Sequence, residues 1–201
     1  MDINWLDQIP TERKLLSNLH VAALREAAWN DLFRRYQIPA VNYVRGIIRG
    51  ISDSDAQDIV QAAMTKLFKS GFRYDPSKGK FRSFLMKVLH NVAMDFLRAQ
   101  KSKAASFALV EQLQDERSPE DPEWERECQA QLLLLAFAEV EKHYSEFGLT
   151  HTFDAWQRVD RLGVPAAEVA RQLKISVDTV HQACSRVRKE LRAMLVRLDG
   201  A

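Results

Sequence analysis

The stretch FRSFLMKVLHNVAMDFLR, Phe81 to Arg98, decides how the rest of the chain is read. Phe81, Phe84, Leu85, Val88, Leu89, Val92, Ala93, Phe96 and Leu97 recur at i, i+3, i+4 and i+7, the spacing of one buried helical face. Lys87, Asn91 and Arg98 fall on another face, with His90 and Asp95 nearby. A helix with an apolar back and a Lys/Asn/Arg front can offer hydrogen-bond donors to a polyanion. The same spacing also suits a surface helix with a solvated side, so the neighbouring segments decide between the two.

A length of 201 residues allows one large or two small domains, long enough to bury real cores. The chain is 46% hydrophobic with only 7 Gly and 6 Pro, and it has no long alternating Val/Ile/Thr runs. These features predict an all-α fold. The net charge is +2, but it is unevenly spread. Residues 72–103 carry eight basic side chains against two acidic, residues 104–146 three against eleven, and residues 156–197 nine against four. Two basic blocks separated by an acidic one suggest two polyanion-facing modules and a connector.

Cys128 and Cys184 form no CxxC and no Cys/His metal spacing, which points to a reduced, cytoplasmic protein with no metal. No basic-then-apolar leader and no run of eighteen apolar residues is present, so no membrane insertion is expected. A carboxylate cluster and a Gly-rich phosphate loop are both lacking. No catalytic residue, no cofactor and no enzymatic activity are therefore expected.

In chain order, Thr11 can cap a short helix to about His20, and a second is expected from Ala22 to Tyr36. Its core would be Leu24, Ala28, Trp29, Leu32, Phe33 and Tyr36. Pro39 suits the first turn of a third helix that Gly50 ends. Ser52-Asp53-Ser54-Asp55 starts a helix to Lys69, with Ala56, Ile59, Val60, Ala63, Leu67 and Phe68 inward and Asp55, Asp58, Gln61 and Thr65 outward. Between Gly71 and Lys80, Phe72 and Tyr74 alternate with Arg73, Lys78 and Lys80. Single-stranded nucleic acid asks for such rings and cations side by side, although a short basic loop can also be merely solvated. Around Ser118-Pro119-Glu120-Asp121-Pro122, clustered acids and two prolines read as a flexible linker. The expected organisation is a domain at 1–103, a linker at 104–127 and a domain at 128–201.

The last fifty residues carry a sharper pattern. A helix near Phe153–Leu162 stops at Gly163, Pro165 opens PAAEVARQLK with Ala167, Val169, Ala170 and Leu173 inward, and Ser176 caps a third helix. This is a helix-turn-helix, whose second helix enters the major groove. Ser176 and Thr179 stand at its start, and His181, Gln182, Ser185, Arg186, Arg188 and Lys189 face outward with Asp178. Gln can pair bidentately with adenine, and Arg with guanine or phosphate. An αα-hairpin of a solenoid could mimic the pattern, but no repeat is visible.

Taken together, these segments resemble the extracytoplasmic-function (ECF) sigma factors, small promoter-recognition subunits of bacterial RNA polymerase, over about residues 21–103 and 130–198. The resemblance implies a region 2-like bundle, a linker and a region 4-like helix-turn-helix. DAQDIVQAAMTKLF (Asp55–Phe68) is similar to the family's clamp-docking helix, which implies that Asp55, Asp58 and Gln61 bind core polymerase. Helix 81–98 is similar to the helix that melts and reads the minus-ten element, with Asn91 lining the pocket for a flipped base. Arg73, Lys80, Arg82, Phe84, Lys87, Arg98 and Lys101 complete the implied minus-ten set. Helix 177–190 is similar to the minus-thirty-five reader, with Ser176, Thr179, His181, Gln182, Ser185, Arg186, Arg188 and Lys189 as its contacts.

Core RNA polymerase and promoter DNA, duplex and melted, are the implied partners, with an anti-sigma factor or a regulatory kinase as candidate regulators. Gln57 and Ala62 depart from the family by replacing acids on the docking helix. Either apolar packing compensates, the favoured outcome, or outward Thr65 gains charge by phosphorylation. Phe84 replaces a common Trp, Lys174 takes a turn position usually given to Gly or Asn, and Ala183 replaces a frequent basic residue. The alternative is a helix-turn-helix repressor or activator that acts on duplex DNA without being a polymerase subunit. It accounts for residues 150–198 but gives no reason for the aromatic-basic loop or the Lys/Asn/Arg face.

Overall fold

Apolar residues at helical spacing run through most of the sequence, and the computed structural model turns them into helices. The structure describes Leu6, residues 11–69, Asp75, residues 79–103 and residues 121–199, without the side chains of Glu12, Lys69 and residues 101–103. The helices are α1 (Glu12–Asn18), α2 (Arg25–Ile47), α3 (Asp53–Lys69), α4 (Phe81–Lys103), α5 (Pro122–Glu146), α6 (Thr150–Trp156), α7 (Ala166–Leu173) and α8 (Val177–Asp199). A π-helical turn, Gln157–Arg161, continues α6. No strand occurs among the described residues, and the fold is all-α. The chain divides into two compact units, Leu15–Gln131, and Leu132–Ala201 with Met1–Lys14.

In the first unit α2, α3 and α4 pack on one another. Tyr36, Val44 and Ile47 of α2 meet Ile59, Val60 and Ala63 of α3 and Phe81, Leu85 and Leu89 of α4 in one core. The break expected between Tyr36 and Pro39 does not occur, because α2 runs through Pro39. An interior proline costs about 3 kcal/mol through its missing N–H and its ring. Here Tyr36, Ala40, Tyr43 and Val44 are all buried on one face, so burial on both sides of the proline offsets that cost. Leu24 and Phe68 were expected in the core and are exposed, Phe68 resting its ring on Trp29 at 5.4 Å. At the start of α3, Ser52 accepts the Asp55 N–H at 3.1 Å and donates its hydroxyl to the Asp55 carboxylate at 2.7 Å. This reciprocal cap holds the helix start where the serine predicts it.

The stretch expected as linker differs from the structure at its end. Residues 104–120 lie outside the described residues, but 121–131 belong to the first unit, so the division falls at Gln131/Leu132 rather than after 127. Asp121 accepts the Glu123 N–H at 2.9 Å, and Trp124 is buried with its indole N–H donated to the Arg82 carbonyl at 3.1 Å. The Trp124 ring meets Tyr43 edge-on at 5.5 Å. Asn42 donates to Glu127 at 2.7 Å, and Gln131 donates to the Arg34 carbonyl at 3.4 Å. The buried indole and its hydrogen bond hold the start of α5 in the first unit despite the local acidity.

The second unit is built on the later half of α5, with α6, α7 and α8. Ala136, Val140, Tyr144, Phe153, Val169, Val180, Val187 and Met194 are core, and Leu6 joins them. The helix expected to reach Leu162 as one α-helix instead widens at Gln157, where the Leu162 N–H reaches back to the Gln157 carbonyl at 3.1 Å. Gly163, at φ 70°, then turns the chain into α7. Ala167, expected inward, is exposed.

Tyr144 is fully buried, and Glu190 is also buried. Burial first, and then the charge of the neighbouring Glu190 carboxylate, push the Tyr144 phenol above its ordinary range. A phenol whose pKa is raised by folding adds stability that is complete below its unfolded pKa of about 10 and is lost as pH rises beyond it. Tyr144→Phe is therefore expected to flatten the alkaline decline of the second unit's stability, read by urea unfolding between about pH 8 and 11. An unchanged decline would remove Tyr144 from its cause.

Candidate nucleic-acid interface

Two faces, one on each unit, collect the sequence-predicted residues. On α4 the apolar residues are turned inward by the helical period, and Lys87, Asn91 and Arg98 are left exposed on the outside. Asn91 lies four residues beyond Lys87 and seven before Arg98, so the three follow one side of the helix. Arg98 donates to Asp95 at 3.0 Å in an open pair whose side chains are 71% and 61% exposed, weak enough to yield to a phosphate. Lys80 is exposed at the foot of the same helix, 3.7 Å from Glu125. Phe84 packs partly into the core beside Phe81, at 6.5 Å between ring centroids.

Arg82 does not join this face. Its side chain is 4% exposed and pairs with Glu125 at 3.0 Å, so in this conformation it acts as an internal brace. The reason is its position one residue after Phe81, where the start of α5 covers it. Arg73 and the side chain of Lys101 lie outside the described residues.

On α3, Asp58 and Gln61 are exposed along with Gln57, Ala62 and Thr65. Asp55 is half-buried and committed to the Ser52 cap, so it serves the helix start whatever else it contacts.

In the second unit α7, a three-residue turn and α8 form the helix-turn-helix. The turn is closed by the Ile175 N–H on the Ala170 carbonyl at 3.0 Å and the Lys174 N–H on the Arg171 carbonyl at 3.4 Å. Lys174 holds φ 57°, a left-handed conformation that costs a non-glycine residue roughly 1–2 kcal/mol. Ser176 caps α8 by accepting the Thr179 N–H at 3.0 Å, and the two hydroxyls meet at 2.8 Å. Both residues thus support the helix end that points outward, while remaining exposed. His181, Gln182, Ser185, Arg186 and Lys189 form the exposed face of α8, opposite Val180, Ala183, Cys184 and Val187. Ala183 is buried.

Arg188 is held by Asp160 of the π turn, with Nε donating to Oδ2 at 2.6 Å and Nη2 to Oδ1 at 2.5 Å. The hydrogen bonds and charge of Asp160 raise the Arg188 guanidinium above its ordinary value. Arg158, raised likewise by Asp154, bridges Asp154 at 2.8 Å and Gln172 at 2.7 Å. Sequence reasoning missed Trp124, Glu125 and Asp160. Each acts on a partner at least twenty-eight residues away, and helical periodicity carries no signal of such pairings. Cys128 and Cys184 are buried free thiols, and burial pushes the Cys184 thiol up. Among the described residues no group of His, Cys, Asp and Glu is placed to hold a metal ion, and no helix is long and apolar enough to cross a membrane.

Residues 32–103, which take in most of α2 and the whole of α3 and α4, match the family model of sigma-70 region 2. The first unit thus carries a sigma-70 region 2. That match supports a sigma-factor role in promoter recognition and transcription initiation, and with it binding of core RNA polymerase and promoter DNA. No curated protein matches the chain.

Proposed function

We propose that the protein is a sigma factor of the ECF type, which binds core RNA polymerase in the cytoplasm and directs it to promoters through two readers. The observation that carries this reading is that the region 2 match contains a helix with Lys87, Asn91 and Arg98 exposed along one side. In this reading the first unit docks on polymerase with Asp58 and Gln61, aided by Asp55, and traps the melted minus-ten strand on α4. The acidic segment 104–120 follows α4 in the sequence and precedes α5, within the first unit's span, and α8 of the second unit reads the minus-thirty-five duplex. Trapping a flipped base costs a few kcal/mol of unstacking, which pocket contacts recover. Gln57 and Ala62 leave the docking helix short of charge, and exposed pairs contribute only about 0.2–1 kcal/mol each. Apolar contacts of α3 are the simplest compensation.

The groove-reading half is tested by binding of the protein, assembled with core polymerase, to a randomised minus-thirty-five element at two salt concentrations. Gln182→Ala and Arg186→Ala are expected to relax preference at particular base pairs. Arg188→Ala is expected to lower affinity evenly and to reduce the salt slope by about one. A preference profile left unchanged by both base-face substitutions would take α8 out of the readout.

A further inference from the structure

We propose that Asp160 is a positioning residue for duplex binding: it fixes the Arg188 guanidinium by one edge so that the remaining fork is offered to a DNA phosphate. The inference rests on the reading of α8 as the duplex-facing helix and goes beyond it, because Asp160 lies outside the helix-turn-helix and bears the charge that DNA repels. The carboxylate takes one N–H from Nε and one from Nη2, at 2.6 and 2.5 Å. A guanidinium carries five N–H groups in a rigid plane. Three remain, and those of Nη1 and Nη2 form a second fork that matches two phosphate oxygens. The Asp160 side chain is 19% exposed and that of Arg188 is 51% exposed, so the acid is recessed while the guanidinium reaches solvent. His181, Ser185 and Arg188 follow one another at i, i+4 and i+7, which places Arg188 in line with the exposed face of α8.

The π turn makes this bracing possible. Its side chains fan out to different neighbours: Arg158 to Asp154 of α6 and Gln172 of α7, Asp160 to Arg188 of α8, and Arg161 over the Phe137 ring of α5 at 5.1 Å. Asp160 is therefore flanked on both sides by anchored residues, and π-helical turns recur at functional sites. An arginine held in advance has already lost the rotamer freedom that phosphate binding would otherwise remove. Against this stands Coulomb repulsion between the two anions, Asp160 and the phosphate, which works to weaken binding. The sign of the effect separates positioning from masking.

The test uses the full chain assembled with core RNA polymerase and a duplex carrying the minus-thirty-five sequence that the unmodified assembly selects from a randomised pool. Asp160→Ala is expected to weaken binding by about two- to tenfold, without altering base preference, since phosphate contacts carry no sequence information. Asp160→Asn removes the same charge but keeps one acceptor for Arg188, and it is expected to weaken binding less. In an Arg188→Ala background, Asp160→Ala is expected to change nothing further. Affinity equal to or above that of the unmodified protein, in either variant, would overturn the proposal in favour of masking. An equal loss in the Arg188→Ala background would overturn it in favour of a general folding effect. Failure of the unmodified assembly to select any duplex sequence would overturn the groove reading itself, and the proposal with it.

Discussion

Replacing Trp124 with alanine is expected to destabilise the first unit by about 3–5 kcal/mol, the usual range for deleting a buried large aromatic side chain. The indole is 3% exposed, lies edge-on against Tyr43 and donates to the Arg82 carbonyl. Its loss would open a cavity at the foot of α4 and admit water to the Arg82–Glu125 pair, whose arginine is nearly fully enclosed. A partly freed Arg82 would then lose the geometry that repays its desolvation. Hydrogen exchange of the full chain is the measurement, because it reads the units separately: protection of α2 and α4 amides is expected to fall while that of α8 stays unchanged. A loss below about 1 kcal/mol, an ordinary surface effect, would mean that residues 121–131 are not part of the first unit's core. A fragment ending at residue 103, where the region 2 match stops, lacks Trp124 and is expected to show the same weakness.

The second large effect is expected at Asn91. An exposed asparagine on a helix costs little to truncate in the free protein, so Asn91→Ala is expected to leave folding within about 0.5 kcal/mol of the unmodified chain. If it contacts a flipped base, the same change weakens promoter opening by about 1–3 kcal/mol at one minus-ten position. Opening rates on a set of single-base minus-ten variants separate the cases. Loss confined to one position is the expected pattern, with minus-thirty-five binding unaltered. Uniform weakening over all variants would make Asn91 a general backbone contact.

Periodicity and caps account for what could be read in advance. Ser52, Pro165, Gly163 and Ser176 mark helix ends where the structure has them, and the apolar spacing of α3, α4 and α8 assigns their inner and outer faces. The exposed sides of α4 and α8, with Asn91, Gln182 and Arg186, followed directly from that spacing. What remained hidden depends on partners distant in sequence. Arg82 reads as a surface cation until Glu125 is folded against it. Pro39 reads as a helix start because local propensity disfavours an interior proline, and only the buried residues on both sides reverse that preference. Trp124 reads as part of an acidic connector, since one aromatic carries little weight among so many carboxylates. The π turn has no compositional mark at all. Its role became visible only with Arg158, Asp160 and Arg161 each placed against its own neighbour.

Run-off transcription with core RNA polymerase, with and without the protein, on a mixed promoter library tests the central claim most directly. A sigma factor is expected to yield transcripts that depend on the protein and share sequence at both the minus-ten and the minus-thirty-five positions. Asn91→Ala should alter the first element alone, and Gln182→Ala or Arg186→Ala the second. Binding to duplex DNA without any protein-dependent initiation would contradict the account and make the protein a regulator that acts on DNA without polymerase.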